Sequence, residues 1–196
     1  MLQKEFNSFW ENNFKETIPL NFLFREAYSK RWLRIHSLPE SKRYADNDTE
    51  MNLILSRQNQ IISDEYAENE DIYLVSTEFF TNNKEIVEEE EFCFYPEYNF
   101  EKISVLNLNS YFPLDYSSDQ KLNIFVAKRK WEVNIYNNLL KDIADDASII
   151  FFVSIQNKII FAPYDGGMDV IYQNENQKNF YKKKYKEWLS DREDGL

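Results

Sequence analysis

Glycine is nearly missing from this chain of 196 residues: only Gly166, Gly167 and Gly195 occur, and two of them are adjacent. A phosphate loop or dinucleotide fingerprint needs several spaced glycines, because the backbone must come close to a phosphate. Those cofactor classes are excluded, and no cofactor is expected. Histidine is present once, as His36, which removes multi-histidine metal sites and leaves no metal centre to expect. The single cysteine, Cys93, cannot close an internal disulfide, so nothing indicates an oxidising compartment. Long apolar runs are lacking too. The longest, residues 149–153, is broken by Ser154 and is far too short to span a bilayer. The first residues, Met1-Leu2-Gln3-Lys4-Glu5-Phe6, enter a charged amphipathic pattern rather than an apolar signal core. The expectation is a cytoplasmic protein with no membrane partner.

Aromatic residues, by contrast, are plentiful. They make up 17% of the chain, with 16 Phe and 13 Tyr, within an apolar content of 43%. A disordered chain would be poorer in them, and a chain of this length can bury a proper core.

The net charge of −11 is distributed unevenly. Residues 1–63 carry 9 basic and 8 acidic groups, and residues 102–196 carry 13 of each. Residues 64–101 hold 13 acidic groups against Lys84 alone, a net of −12. All the excess negative charge therefore sits in one stretch.

Periodicity gives the elements. Leu2, Phe6, Phe9, Trp10 and Phe14 share one face of a helix over residues 2–14. Trp32-Leu33-Arg34-Ile35-His36 alternates as a strand does. A second helix starts after Asp46 or Asp48, either of which is a suitable cap, with Met51, Ile54, Leu55, Gln58, Ile61 and Ile62 on one face. Strands are predicted over 71–76, 92–95, 102–107 and 121–127, and a third helix over 131–145. A hairpin follows over 148–155 and 158–162, then a turn at Asp165-Gly166-Gly167 into a strand over 168–172. A helix over 175–190 closes the chain, with Tyr181, Tyr185, Trp188 and Leu189 as its buried stripe. Short links between consecutive strands predict an α+β fold: one mainly antiparallel sheet with about four helices packed against it, in a single domain over residues 1–196.

No catalytic constellation emerges. A nucleophile needs a base to take its proton, but His36 and Cys93 carry no spacing signature, and no catalytic residue is assigned. Asp165 and Asp169 flank the glycine turn, yet neither they nor the run Glu88-Glu89-Glu90-Glu91 match a calcium loop. The segment 25–43 gathers Arg25, Lys30, Arg31, Arg34, Lys42 and Arg43 against Glu26 and Glu40. Two readings stand: an anion site built from Arg34, His36, Lys42, Arg43 and Asp169, or internal pairing of those cations with the chain's own carboxylates. The lysines of the last helix, Lys178, Lys182, Lys183, Lys184 and Lys186, lie among core-spaced aromatics in an acidic protein, so nucleic acid is not an expected partner.

At Ile35-His36-Ser37-Leu38-Pro39-Glu40-Ser41-Lys42-Arg43-Tyr44-Ala45 the chain resembles an uncharacterised bacterial family known only as a domain of unknown function. It is similar again at Gly167-Met168-Asp169-Val170-Ile171 and in the closing helix that ends in Trp188-Leu189. The resemblance brings no activity, cofactor or catalytic residue with it. Some members stand beside polymorphic bacterial toxins, which by association implies an immunity role. The physical expectation agrees: a non-enzymatic acidic protein, monomeric or weakly dimeric, that binds a basic protein such as a toxin through Glu88, Glu89, Glu90, Glu91, Tyr95 and Tyr98. The alternative is a small ligand-binding domain or enzyme using the anion site at 34–43.

Overall fold

A computed structural model describes residues 1–81, 95–192 and 195. Its spine is a sheet whose strands are fed from both ends of the sequence. The strands are β1 (Trp32–His36), β2 (Asp71–Thr81), β3 (Glu101–Asn107), β4 (Gln120–Lys130), β5 (Ile150–Ser154), β6 (Ile160–Tyr164) and β7 (Gly167–Ile171). They form one seven-stranded sheet in the order β1-β7-β6-β5-β2-β4-β3, and every pairing is antiparallel. The α+β class and the single antiparallel sheet thus match expectation.

Five α-helices occur among the described residues, one more than expected: α1 (Leu2–Asn13), α2 (Phe24–Ala27), α3 (Asp48–Ser63), α4 (Asn137–Ala144) and α5 (Glu175–Lys184). The extra one, α2, is a single turn that buries Phe24, too short to leave a periodic trace. None is long and apolar enough to cross a membrane.

Helices cover both faces of the sheet, and this explains its sequence. Alternate strand residues serve two cores. Ile72, Leu74, Ile150, Phe152, Met168 and Val170 pack with Ile61 and Ile62 of α3, Leu139, Leu140 and Ile143 of α4, and Tyr181 and Tyr185. Tyr73, Val75, Phe151, Val153 and Ile171 face the other way, onto Phe6, Trp10, Phe14 and Phe24. Central strands buried on both sides read as continuous apolar runs rather than alternations. Burying each such side chain contributes roughly 1.5–3 kcal/mol.

Two helix starts use the same local device. Asn47 caps α3 by accepting the Glu50 N–H, while the Glu50 carboxylate accepts the Asp46 N–H at 2.7 Å. Asn174 caps α5 by accepting the Gln177 N–H, and Gln177 Oε1 accepts the Gln173 N–H at 3.1 Å. The α3 cap is therefore Asn47, between the two aspartates expected to fill that role. α4 begins only at Asn137: the Trp131 N–H donates to the Glu70 carbonyl, and Asn134 sits in the left-handed region at φ 69.

Candidate functional site

The pairing of β1 with β7 brings the chemistry of the basic segment together. Arg34 stands directly opposite Asp169 in the register. Its Nε and Nη2 donate to Oδ1 at 2.7 Å and Oδ2 at 2.8 Å, a two-pronged pair, and its guanidinium lies 4.6 Å from the centre of the Tyr164 ring. One residue beyond the end of β6, Asp165 is buried and accepts from Arg43. Lys42 turns instead to the start of α3, donating to Asp46 at 2.7 Å and Glu50 at 2.6 Å. Arg34, Lys42 and Arg43 are thus all paired with carboxylates of the same chain.

His36 ends β1, opposite Gly167. The two strands approach so closely that a Cβ on Gly167 would lie 2.2 Å from the Ile35 carbonyl oxygen. Only glycine fits there. His36 is 7% exposed, both of its ring nitrogens are buried, and the Gly166 backbone is a polar group that favours its protonated form. Burial, then the neighbouring Arg34 charge, hold its pKa below the ordinary 6.5, with Asp169 opposing. His36 is among the residues around a cavity of about 290 Å³, which lies between the turn at 38–41 and the chain at 186–191.

Of the expected ligand residues, the structure therefore joins Arg34, His36 and Asp169 at one end of the sheet, places Arg43 beside them through Asp165, and sends Lys42 elsewhere. The three stretches that carry the family resemblance meet at this cavity or on the strand pair beside it.

The expected partner-binding residues fall in two groups. Glu88, Glu89, Glu90 and Glu91 lie outside the described residues, as does Cys93. Tyr95 and Tyr98 are half-buried and pack against the α3–α4 side of the core. The Tyr95 hydroxyl donates to Asp142 at 2.9 Å, and Tyr98 meets Tyr136 at 5.6 Å between ring centres. Burial pushes the Tyr98 hydroxyl up to about 12. Their ring surfaces are thus largely taken up inside the protein. More exposed apolar side chains stand elsewhere: Phe79 near the end of β2, and Tyr111 and Leu114 in the connection from β3 to β4, of which Leu114 is almost fully exposed.

Sequence reasoning also missed Arg57. It donates to the His36 carbonyl at 3.2 Å and lies 4.7 Å over the Trp188 ring, with no carboxylate partner among the described residues. One signal was available: Arg57 is the only cation between Arg43 and Lys84. No three His, Cys, Asp or Glu side chains converge as metal ligands would among the described residues.

No curated protein and no solved structure matches the chain. The family described as "Domain of unknown function (DUF3885)" matches it over residues 20–193, a span that takes in the sheet, α2 to α5 and the His36 cavity. The chain belongs to that family.

Proposed function

We propose that the chain is a non-enzymatic acidic binding protein of the immunity type, which acts in the cytoplasm as a monomer or weak dimer and neutralises a basic bacterial toxin by covering it. The observation that carries this reading is how the charges are used. In the first part of the acidic stretch four of the five carboxylates are engaged: Asp64 with Lys184, Asp71 with Lys130, Glu65 with Gln177, and Glu70 with Ser154. Residues 78–101 then hold eight carboxylates (Glu78, Glu85, Glu88, Glu89, Glu90, Glu91, Glu97 and Glu101) against Lys84, a net of −7. Such a concentration attracts a cationic surface and raises the rate of encounter.

Exposed Phe79, Tyr111 and Leu114 support the same reading, because a stable interface needs apolar anchors as well as charge. The cations that an anion-binding enzyme would use are already paired, which weighs against the alternative built on Arg34, Lys42 and Arg43. The test is growth rescue. Cells producing a basic toxin whose gene is found next to this chain's gene should grow when the chain is co-expressed, and should not be rescued from an unrelated toxin; a neighbourhood without any toxin gene would also count against the reading. Continued arrest despite folded, soluble chain would overturn the reading.

A further inference from the structure

The sheet ends on β3, which has β4 on one side and no strand on the other among the described residues. The hydrogen bonds at the foot of β2 show which of its backbone groups are left over. The Ile155 N–H donates to the Asp71 carbonyl, and the Trp131 N–H to the Glu70 carbonyl. Bonding direction alternates along an antiparallel strand, so odd-numbered residues of β2 bond towards β5 and even-numbered ones towards β4. Carried through the registers, this makes Val126, Ile124 and Leu122 of β4 bond to Glu101, Ser104 and Leu106 of β3. The backbone N–H and carbonyl groups of Lys102, Val105 and Asn107 therefore point away from the sheet, and none of them has a partner among the described residues.

Open strand edges attract further strands, and proteins blunt them with charge, proline or a bulge. β3 is blunted only in its first half: Glu101 and Lys102 are charged, and the register slips between Lys102 and Ser104. From Ser104 to Asn107 there is no charge and no proline, and Val105 is 51% exposed. A groove of about 580 Å³ lies on one face of this same edge. Ser104 and Leu106 line it from β3, Phe6 and Trp10 from α1, and Tyr111 and Phe112 from the connection to β4. Side chains of a strand laid beside β3 would alternate between the two faces of the sheet, and every second one would stand next to Ser104 and Leu106, in the groove. Strand addition needs unpaired backbone groups and pockets for alternate side chains, and here the two coincide.

We propose that the free edge of β3 takes up an extended basic segment of the partner, which pairs with Val105 through its backbone and sends alternate apolar side chains into the groove. This rests on the reading above that the partner is basic. Charge selects the occupant. A second copy would bring its own net charge of −11, whereas a cationic segment is attracted by that charge. The acidic stretch of net −7 ends on Glu101, the first residue of β3, so the attraction is strongest where the strand begins.

The chain labelled with nitrogen-15 is titrated with a peptide of alternating lysine and leucine, as long as β3 and capped at both ends, and with its glutamate–leucine counterpart. In the free chain the Ser104 and Leu106 amides should exchange with solvent slowly and the Val105 amide fast. Saturating lysine–leucine peptide should slow exchange at Val105 about tenfold or more. The glutamate–leucine peptide should bind about tenfold more weakly. V105P removes the outward N–H at a position where an edge strand accepts proline, and should abolish binding. V105T keeps the N–H and the branched side chain, and should bind as wild type does. If V105P does not fold, exchange at Val105 in the wild-type chain decides. No slowing at Val105, equal binding of the glutamate–leucine peptide, or a folded V105P that binds like wild type would each overturn the proposal. In the growth test, equal rescue by wild type and V105P would overturn this docking site and leave the proposed function standing, whereas failure of wild type to rescue would overturn that reading alone.

Discussion

His36 makes a thermodynamic statement as well as a structural one. Its folded pKa is depressed by burial and by Arg34, with Asp169 and the Gly166 carbonyl pulling the other way. The unfolded chain therefore binds the proton more readily, and stability from the neutral ring is present above pH 6.5 and lost as pH falls through the lower folded value. Glu65 is raised by burial and acts in the opposite sense, losing its contribution as pH rises past its folded value. It cancels when wild type is compared with H36Q. The Tm of wild type minus that of H36Q should therefore fall as the pH is lowered from about 7.5 to about 5. A difference constant across that range would show that the imidazole titrates alike in folded and unfolded chains.

At the scale of elements, the junction of β1 with β7 depends on a single hydrogen where a side chain would stand. A Cβ on Gly167 would meet backbone atoms, the Ile35 oxygen at 2.2 Å and the His36 Cα at 3.1 Å, so the strands would have to part. On Gly166 it would meet only the Tyr164 ring edge, at 2.8 Å, and a side chain can rotate away. Urea denaturation should show G167A losing about 3 kcal/mol or more and G166A about 1 kcal/mol. Equal losses would show that glycine serves the turn rather than the strand contact. The same junction marks where sequence reasoning ends. Alternation was enough to find β1, and helical spacing to find α1, α3 and α5, because those signals are local. That Arg34 finds its partner 135 residues away is a property of the closed sheet, with no trace in spacing. Internal pairing of Arg34, Lys42 and Arg43 was foreseeable from charge balance, but the burial of His36 at the end of a strand was not, since burial is visible only once every neighbour is placed. β2 runs on to Thr81 because β4 pairs with it throughout, although β5 leaves it at Ser76. The strand expected over 92–95 falls almost wholly outside the described residues.

For the whole molecule, the asymmetry of charge predicts how association should respond to salt. Attraction between a segment of net −7 and a cationic partner acts before contact, over a distance that falls to about 10 Å at 0.1 M salt. The association rate should therefore drop steeply between low and moderate salt while dissociation changes little. Replacing Glu88, Glu89 and Glu90 with Gln removes three of the eight carboxylates and should slow association roughly tenfold at low salt, with folding unaffected or slightly improved. Apolar contacts act after docking, so the anchors should announce themselves in dissociation. Here the fold separates two sets of aromatics that look alike in sequence. Tyr95→Ala and Tyr98→Ala strip rings packed on the core and should lower Tm, which would confound any binding measurement. Tyr111→Ala and Leu114→Ala remove exposed groups, Leu114 at 97% exposure, and should speed dissociation with Tm unchanged. Surface-based kinetics against the toxin at two salt concentrations separates these effects. If the glutamine variant associates at the wild-type rate in low salt, the acidic run does not steer binding, and the electrostatic part of the proposed function falls with it.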